Sequence, residues 1–214
     1  MADTLPGASE IIRGLYFITD ASGARGHEEI VREAIAGGAR LIQFRDKYLS
    51  KDEFRDMAQR LRKITADAGA AFIVNDDIET ALACGADGVH LGQDDTPLPV
   101  ARKIVGSRLI IGISTHSLAQ AEAAQEGGAD YIGFGPIFKT ATKDAGEAKG
   151  PSQLRSLKGK IKIPIVAIGG INLYNASEVI EAGADAVAVI SAVSDAKDAA
   201  LAARRFVELF KGRY

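Results

Sequence analysis

The most constraining feature of this sequence is a short phrase that occurs four times along the chain. Its four versions are GGAR at 37–40, CGAD at 84–87, GGAD at 127–130 and AGAD at 182–185. Each version closes a helix-like stretch and precedes an apolar run, and a glycine near a helix end supplies the left-handed cap that turns the chain. The phrase therefore predicts a helix-to-strand turn that is used four times, which is typical of a repeated unit.

Eight apolar runs, separated by helical patterns, extend this repeat along the chain. The predicted strands are 15–19, 41–46, 71–75, 88–92, 109–114, 131–135, 164–169 and 186–190. The helix predicted over 50–69 opens with Ser50 and Glu53 at the spacing of a capping box. Strands that alternate with helices form parallel βαβ units.

The number of units favours a closed barrel over an open sheet. Eight units in 214 residues predict an α/β fold with one domain, a single (β/α)8 TIM barrel over 1–214 with a short N-terminal extension at 1–13. The alternative, an open doubly wound sheet, usually carries G-x-G-x-x-G after its first strand. Here the first predicted strand runs into ITDASGARG, which does not match.

Composition excludes several classes of function. Lysine and arginine number 26 against 28 acidic residues, a net charge of −2, which is too little positive charge for general nucleic-acid binding. The single cysteine, Cys84, excludes an internal disulfide framework and fits a reducing compartment. Because no apolar run reaches about 18 residues and no signal peptide is visible, we expect a cytoplasmic protein without a membrane partner.

Polar residues follow the predicted strands at the end where barrels carry their chemistry. Gln43, Arg45 and Lys47 alternate along the second strand and would therefore share one face. We expect that face to point into the barrel, because the opposite choice would place Phe44 and Asp46 inside. The alternative is an outward edge with solvated charges.

Two aspartates at the ends of neighbouring strands predict a cation site. Asp76 follows the third strand and Asp95 follows the fourth, so their carboxylates can converge beside the two cations. Mg²⁺ prefers oxygen ligands and often shares them with substrate phosphates, so this arrangement suits a metal–pyrophosphate complex. The alternatives are that either aspartate caps the following helix, or that Asp94 is the ligand instead of Asp95.

The ends of the last two strands predict a phosphate site. The glycine pair in IGGI (168–171) and the segment VISAV (189–193) lie where many barrels bind phosphate on backbone N–H groups. The alternative for the glycines is close packing. His116 is expected to be a hydrogen-bonded structural residue, and the three histidines form no pattern that would bind zinc.

Seven segments, taken together and in order, are highly specific, although each alone is not. They are QFRDK (43–47), VNDD (74–77), GVHLGQDD (88–95), GISTHS (112–117), GPIFKTATK (135–143), AIGGI (167–171) and AVISAV (188–193). With these segments the chain resembles the thiamine-phosphate synthase family over nearly its whole length. The family usually has proline where this chain has Lys139.

The resemblance implies a transferase that joins 4-amino-5-hydroxymethyl-2-methylpyrimidine pyrophosphate to 4-methyl-5-(2-hydroxyethyl)thiazole phosphate, releasing pyrophosphate. It implies that Asp76 and Asp95 bind Mg²⁺, the cofactor, and that Arg45, Lys47, Ser114 and Lys143 are catalytic. It assigns the pyrimidine pyrophosphate to Gln43, Arg45, Lys47 and Asn75, with Ser114 and Lys143 on the pyrophosphate side. It assigns the thiazole phosphate to Thr140, Thr142, Gly170, Ile190 and Ser191.

Two other functions remain as alternatives to this one. A related thiazole tautomerase would share the barrel but would need no pyrophosphate site, and a non-catalytic barrel would bind a phosphorylated ligand without turnover. The expected partners are small-molecule substrates, with no nucleic acid and no membrane. Assembly into a homo-oligomer is left open by the sequence.

Overall fold

Eight parallel strands close into a barrel in chain order, with the last strand paired to the first. The computed structural model describes residues 7–20, 25–140 and 146–213. The strands are β1 Gly14–Ile18, β2 Leu41–Phe44, β3 Ala71–Asn75, β4 Gly88–Leu91, β5 Ile110–Thr115, β6 Tyr131–Phe134, β7 Ile165–Ile168 and β8 Ala186–Val189. The predicted (β/α)8 barrel is confirmed.

Apart from the first one, which precedes β1, the helices follow the strands and surround the barrel. They are α1 Ala8–Ile11, α2 His27–Ala36, α3 Lys51–Asp67, α4 Ile78–Cys84, α5 Leu98–Val105, α6 Leu118–Glu126, α7 Gly150–Lys158, α8 Ala176–Glu181, α9 Ser191–Ser194 and α10 Ala199–Glu208. The capping box of α3 is present, with the Ser50 side chain bonded to the Glu53 backbone and the Glu53 carboxylate bonded back to Ser50. No helix in the described part of the chain combines the length and hydropathy that crossing a membrane requires.

The repeated phrase is the helix-to-strand turn that its sequence predicts. In the four turns Gly38, Gly85, Gly128 and Gly183 have φ of 102°, 68°, 87° and 108°, a region that glycine enters without steric cost. The backbone can therefore reverse beneath the barrel within two or three residues.

Three of these turns end in an aspartate that ties a helix to the barrel. Each carboxylate accepts a backbone hydrogen bond of 2.7–2.9 Å from the preceding strand and forms an ion pair with a side chain of the helix before that strand. These joints are Asp87 with Phe72 and Arg62, Asp130 with Ile111 and Arg102, and Asp185 with Ile165 and Lys158. In the remaining turn the position is occupied by Arg40, which bonds backbone carbonyls instead.

The hydrophobic core has two layers, one between strands and helices and one inside the barrel. Alternate residues of each strand face the two layers, so Ile42 and Phe44 of β2 face the helices while Leu41 faces inward. Ile12, which is fully buried, joins the interior layer from the N-terminal extension. Among the residues that the structure describes, the packed interior layer leaves no passage through the barrel, so ligands can enter only from the carboxyl ends of the strands.

Candidate active site

The carboxyl ends of the strands surround a cavity of about 630 Å³, and a smaller one of about 300 Å³ adjoins it. The two share Arg45, Asn75, His90 and Ser114 as lining residues. The predicted site residues that line one or both are Gln43, Arg45, Lys47, Asn75, Asp76, Asp95, Ser114, Thr140, Gly170, Ile190 and Ser191. Thr142 and Lys143 lie outside the described residues. The structure therefore brings together every predicted site residue that it describes.

The second strand is shorter than predicted, because β2 ends at Phe44 and not at residue 46. Gln43 is buried inside the barrel, whereas Phe44 stacks on Phe54 on the outer side with ring centres 4.3 Å apart. Arg45 and Lys47 leave the strand and reach the rim from the loop that follows it. The predicted inward orientation is confirmed for Gln43. Arg45 and Lys47 do not share a strand face with it, because β2 ends at Phe44.

The loop that carries Lys47 is held by the side chain of Asp46. Its carboxylate accepts backbone hydrogen bonds from Tyr48 (2.7 Å) and Leu49 (3.0 Å) and lies 2.8 Å from Nε2 of His27. Partial burial raises the pKa of Asp46, but these hydrogen bonds outweigh it and hold the pKa below its usual value. Asp46 therefore remains ionised and keeps the loop in one shape.

Asp76 and Asp95 face each other, and neither caps a helix. The cap of α4 is Asp77, whose side chain accepts from Thr80, and α5 begins after Pro97 without a side-chain cap. Asp95 instead accepts a 2.7 Å hydrogen bond from the backbone of Gly92. Both helix-cap alternatives are therefore excluded.

Asp76 has a strained backbone conformation, and its ionised carboxylate is electrostatically unfavourable. Its φ is 63°, the only positive φ of a non-glycine residue in the described segments. Burial, reinforced by the Asp95 carboxylate, raises the pKa of Asp76 to about 7 against the opposing pull of Lys47 and Arg45. Strained, electrostatically perturbed residues of this kind cluster at functional sites.

A cation that prefers oxygen ligands fits this pair of carboxylates. Two partly buried carboxylates repel each other, and a bound divalent ion would remove that repulsion. Asp94, the alternative ligand, is exposed, whereas Asp95 is partly buried against Asp76. Within the described residues no group of three histidine, cysteine or acidic side chains forms a metal site, so substrate or water oxygens would have to complete the coordination.

The glycine pair after β7 is required by close packing. Gly169 and Gly170 have φ of 99° and 65°. A Cβ at Gly169 would lie 2.5 Å from Cβ of Pro136, and one at Gly170 would lie 2.6 Å from the carbonyl oxygen of Lys139. Close packing therefore accounts for both glycines. Gly170 also lines the large cavity.

His116 is bonded as a structural residue, as the sequence predicts. Its Nδ1 lies 2.7 Å from the carbonyl oxygen of Gly135, so this nitrogen donates, and its backbone N–H donates to Gln120. The ring nevertheless forms part of the cavity wall.

The floor of the large cavity is a chain of polar side chains that the sequence patterns do not reveal. Gln43 Nε2 lies 2.8 Å from the Tyr16 hydroxyl, which lies 2.9 Å from the Tyr131 hydroxyl. Nδ1 of His90 lies 2.9 Å from the Tyr131 hydroxyl, and its Nε2 lies 2.9 Å from Oγ of Ser114. The sequence marks these residues only by their position within the predicted strands, where they alternate with apolar residues that face the helices.

Burial keeps the titratable side chains of the cavity floor uncharged. It raises the pKa of the Tyr16 and Tyr131 hydroxyls above their usual values and lowers the pKa of His90 to about 4. At neutral pH both phenols are therefore protonated and the imidazole is neutral.

Comparison with known proteins shows the family to which this chain belongs. The model of the family described as thiamine monophosphate synthase matches residues 15–193. The chain belongs to the thiamine monophosphate synthase family. The match includes all eight strands from the second residue of β1 onward and every site residue described above.

Similarity to individual members of the family extends over most of their length. A thiamine-phosphate synthase of Methanospirillum hungatei is 50% identical over 199 residues, covering 92% of this chain and 97% of the relative. One of Moorella thermoacetica is 51% identical over 198 residues, covering 91% and 94%. A solved thiamine phosphate pyrophosphorylase from Pyrococcus furiosus superposes with a TM-score of 0.88 at 43% identity, covering 93% of this chain and 96% of that one.

Proposed function

We propose that this chain is a thiamine-phosphate synthase, a transferase that joins the pyrimidine pyrophosphate to the thiazole phosphate and releases pyrophosphate. Family membership and the names of its relatives support the activity. The observation that carries the proposal is that Arg45 and Lys47 line the smaller cavity together with the facing carboxylates of Asp76 and Asp95. Such a set suits a pyrophosphate bound together with a divalent cation.

The reaction is proposed to be dissociative. The bond between the pyrimidine's exocyclic carbon and the pyrophosphate oxygen breaks first, and both electrons leave with pyrophosphate. The electron-rich aminopyrimidine spreads the positive charge that remains, while Arg45, Lys47 and Lys143 balance the charge of the leaving group. Gln43 and Asn75 hold the pyrimidine, so the cation forms in a fixed position.

Mg²⁺ is the proposed cofactor, held by Asp76 and Asp95. When bound, it would supply positive charge to the leaving pyrophosphate oxygens. The side chains themselves fit this role because both are oxygen donors, one of them with a strongly raised pKa that a cation would relieve.

The thiazole phosphate is proposed to bind on the side of the large cavity away from the proposed pyrophosphate site. Thr140 and Thr142, with Gly170, Ile190 and Ser191, would hold its phosphate and so place the ring nitrogen near the pyrimidine carbon. Positioning of this kind replaces an encounter in solution with a reaction inside one complex. The nitrogen lone pair then forms the new bond, so no protein nucleophile is needed.

The deciding experiment supplies both phosphorylated substrates, with and without Mg²⁺, and measures thiamine phosphate and pyrophosphate. We expect equal amounts of both products and a requirement for Mg²⁺. Isomerisation of a thiazole without Mg²⁺ would instead identify the tautomerase. Tight binding of thiazole phosphate without any turnover would identify the non-catalytic barrel.

Two adjacent aspartates provide a matched test of the metal site. Asp95→Asn should lower the Mg²⁺-dependent rate by about 100-fold or more, because it removes a charged ligand while keeping an acceptor for Gly92. Asp94→Asn, one residue away and exposed, should retain a nearly normal rate and Mg²⁺ dependence. Equal losses in the two variants, or a normal rate for Asp95→Asn, would contradict the assignment.

A further inference from the structure

The polar chain on the cavity floor has a direction, because the Gln43 side-chain nitrogen at its start can only donate. The side-chain nitrogen of Gln43 carries hydrogens and no lone pair for bonding, so the Tyr16 oxygen must accept. Among the described residues the Tyr16 hydroxyl has Gln43 and Tyr131 as its hydrogen-bond partners. Its own hydrogen is therefore directed to Tyr131.

The same reasoning carries the direction across the barrel. The Tyr131 oxygen accepts from Tyr16, so its hydrogen is donated to Nδ1 of His90. An imidazole that is neutral and accepts at Nδ1 carries its hydrogen at Nε2. His90 must then donate to Oγ of Ser114, whose own hydrogen is left for the cavity.

We propose that Tyr16, Tyr131 and His90 are positioning residues that hold the Ser114 hydroxyl as a hydrogen-bond donor to the departing pyrophosphate. This inference rests on the proposed function. The direction matters because an anion accepts hydrogen bonds, and a hydroxyl whose hydrogen was already given to His90 would present a lone pair to negative charge. None of the three residues needs to touch substrate to act in this way.

The barrel is shaped to seat this chain. Gly112 of β5 lies directly beneath the ring of Tyr131, where any side chain would overlap the ring. A Cβ at Gly133 of β6 would lie 3.2 Å from Cε1 of His90. The neighbouring strands therefore leave room for these two rings to lean across the interior and meet.

The direction can be measured without substrate by ¹⁵N NMR of the imidazoles, with His90→Gln used to assign the signals among the three histidines. We expect His90 to be protonated at Nε2 and bare at Nδ1. The opposite tautomer would overturn the proposal. Because no turnover is involved, this result is independent of whether the chain makes thiamine phosphate.

The effect on catalysis can be isolated with a double-mutant cycle between Tyr131→Phe and Ser114→Ala. Alone, Tyr131→Phe should lower kcat about tenfold, the equivalent of one hydrogen bond, with a smaller change in KM. In the Ser114→Ala background it should lower kcat less than about twofold, because its target is already absent. Losses that simply multiply would overturn the proposal.

A second variant guards against a folding defect, since Tyr131→Phe leaves buried partners without a bond. Tyr16→Phe interrupts the chain one step earlier and should show the same dependence on Ser114. Tyr174→Phe, at a fully exposed side chain, is the control and should leave kcat unchanged. A normal kcat in both Tyr16→Phe and Tyr131→Phe, in an enzyme that is active, would also overturn the proposal.

Discussion

At the residue scale, Asp76 combines a left-handed backbone with a carboxylate that faces another carboxylate. Both features cost stability in the protein without ligands, and the second depends on pH. The unfolded chain releases this proton near the ordinary value of 3.8, whereas the folded chain releases it near 7. Rising pH through this window therefore favours unfolding.

Asp76→Asn should remove this dependence while keeping the backbone, because asparagine tolerates the left-handed region. Between pH 5 and 8, in EDTA, the wild type should lose about 1–2 kcal/mol of unfolding free energy relative to the variant, after allowance for solvent screening. Urea unfolding at the two pH values measures the difference. Parallel curves for the two proteins would show that Asp76 ionises normally.

At the element scale, the turn after β7 and the loop after β6 depend on each other through two glycines. Gly169→Ala places a methyl group against Pro136 and forces alanine to a φ of 99°. The backbone cost alone is about 1–2 kcal/mol, and the overlap adds to it. Thermal unfolding should therefore occur at a clearly lower temperature.

Gly159→Ala is the matched control for this prediction. Gly159 ends α7 with φ of −80°, and a Cβ at this position would have no neighbouring atom within 4 Å, so alanine fits without strain. It should leave stability unchanged or raise it by up to about 1 kcal/mol. Similar losses in both variants would mean that the close approach to Pro136 is unimportant.

Element order and turn chemistry can be predicted from the sequence, whereas the contacts inside the barrel cannot. The glycine phrases and alternating apolar runs report local backbone preferences, which is why they predict the barrel with only small errors at strand ends. The sequence suggests a strand face for Arg45 and Lys47 because alternation continues past Phe44, where hydrogen bonding to the neighbouring strands stops.

The cavity floor escapes prediction for a different reason. Tyr16, Tyr131 and His90 lie inside strands that look apolar, and no local pattern reports that three distant side chains meet. Their hydrogen bonds link positions 41 and 115 residues apart. Such contacts follow from the closure of the barrel rather than from any one segment.

At the scale of the whole molecule, the two ends of the barrel have separate tasks. The carboxyl end carries the charged cavity, and the amino end carries the aspartate joints between helices and strands. This division is expected of (β/α)8 barrels. Damage at the amino end should therefore reduce stability while leaving turnover by the folded enzyme unchanged.

Asp130→Ala tests that division. The change leaves the Ile111 N–H and the Arg102 guanidinium without their shared acceptor, which should cost about 2–3 kcal/mol of unfolding free energy. Denaturant unfolding and kcat at a temperature where the variant is folded measure the two effects. Asp67→Ala, at an exposed position of α3, is the control and should change neither. A lower kcat for folded Asp130→Ala would show that the two ends are coupled.

The packed interior layer to which Ile12 belongs has a consequence for how ligands enter and leave the barrel. With the amino end closed, both substrates and both products pass through the single opening at the carboxyl ends of the strands. A substrate that binds on the floor beside Gln43 must therefore enter before its reaction partner covers it, and it leaves joined to that partner as thiamine phosphate. A cavity with a single opening thus requires the substrates to bind in a fixed order. Product-inhibition patterns should therefore be those of an ordered rather than a random kinetic mechanism.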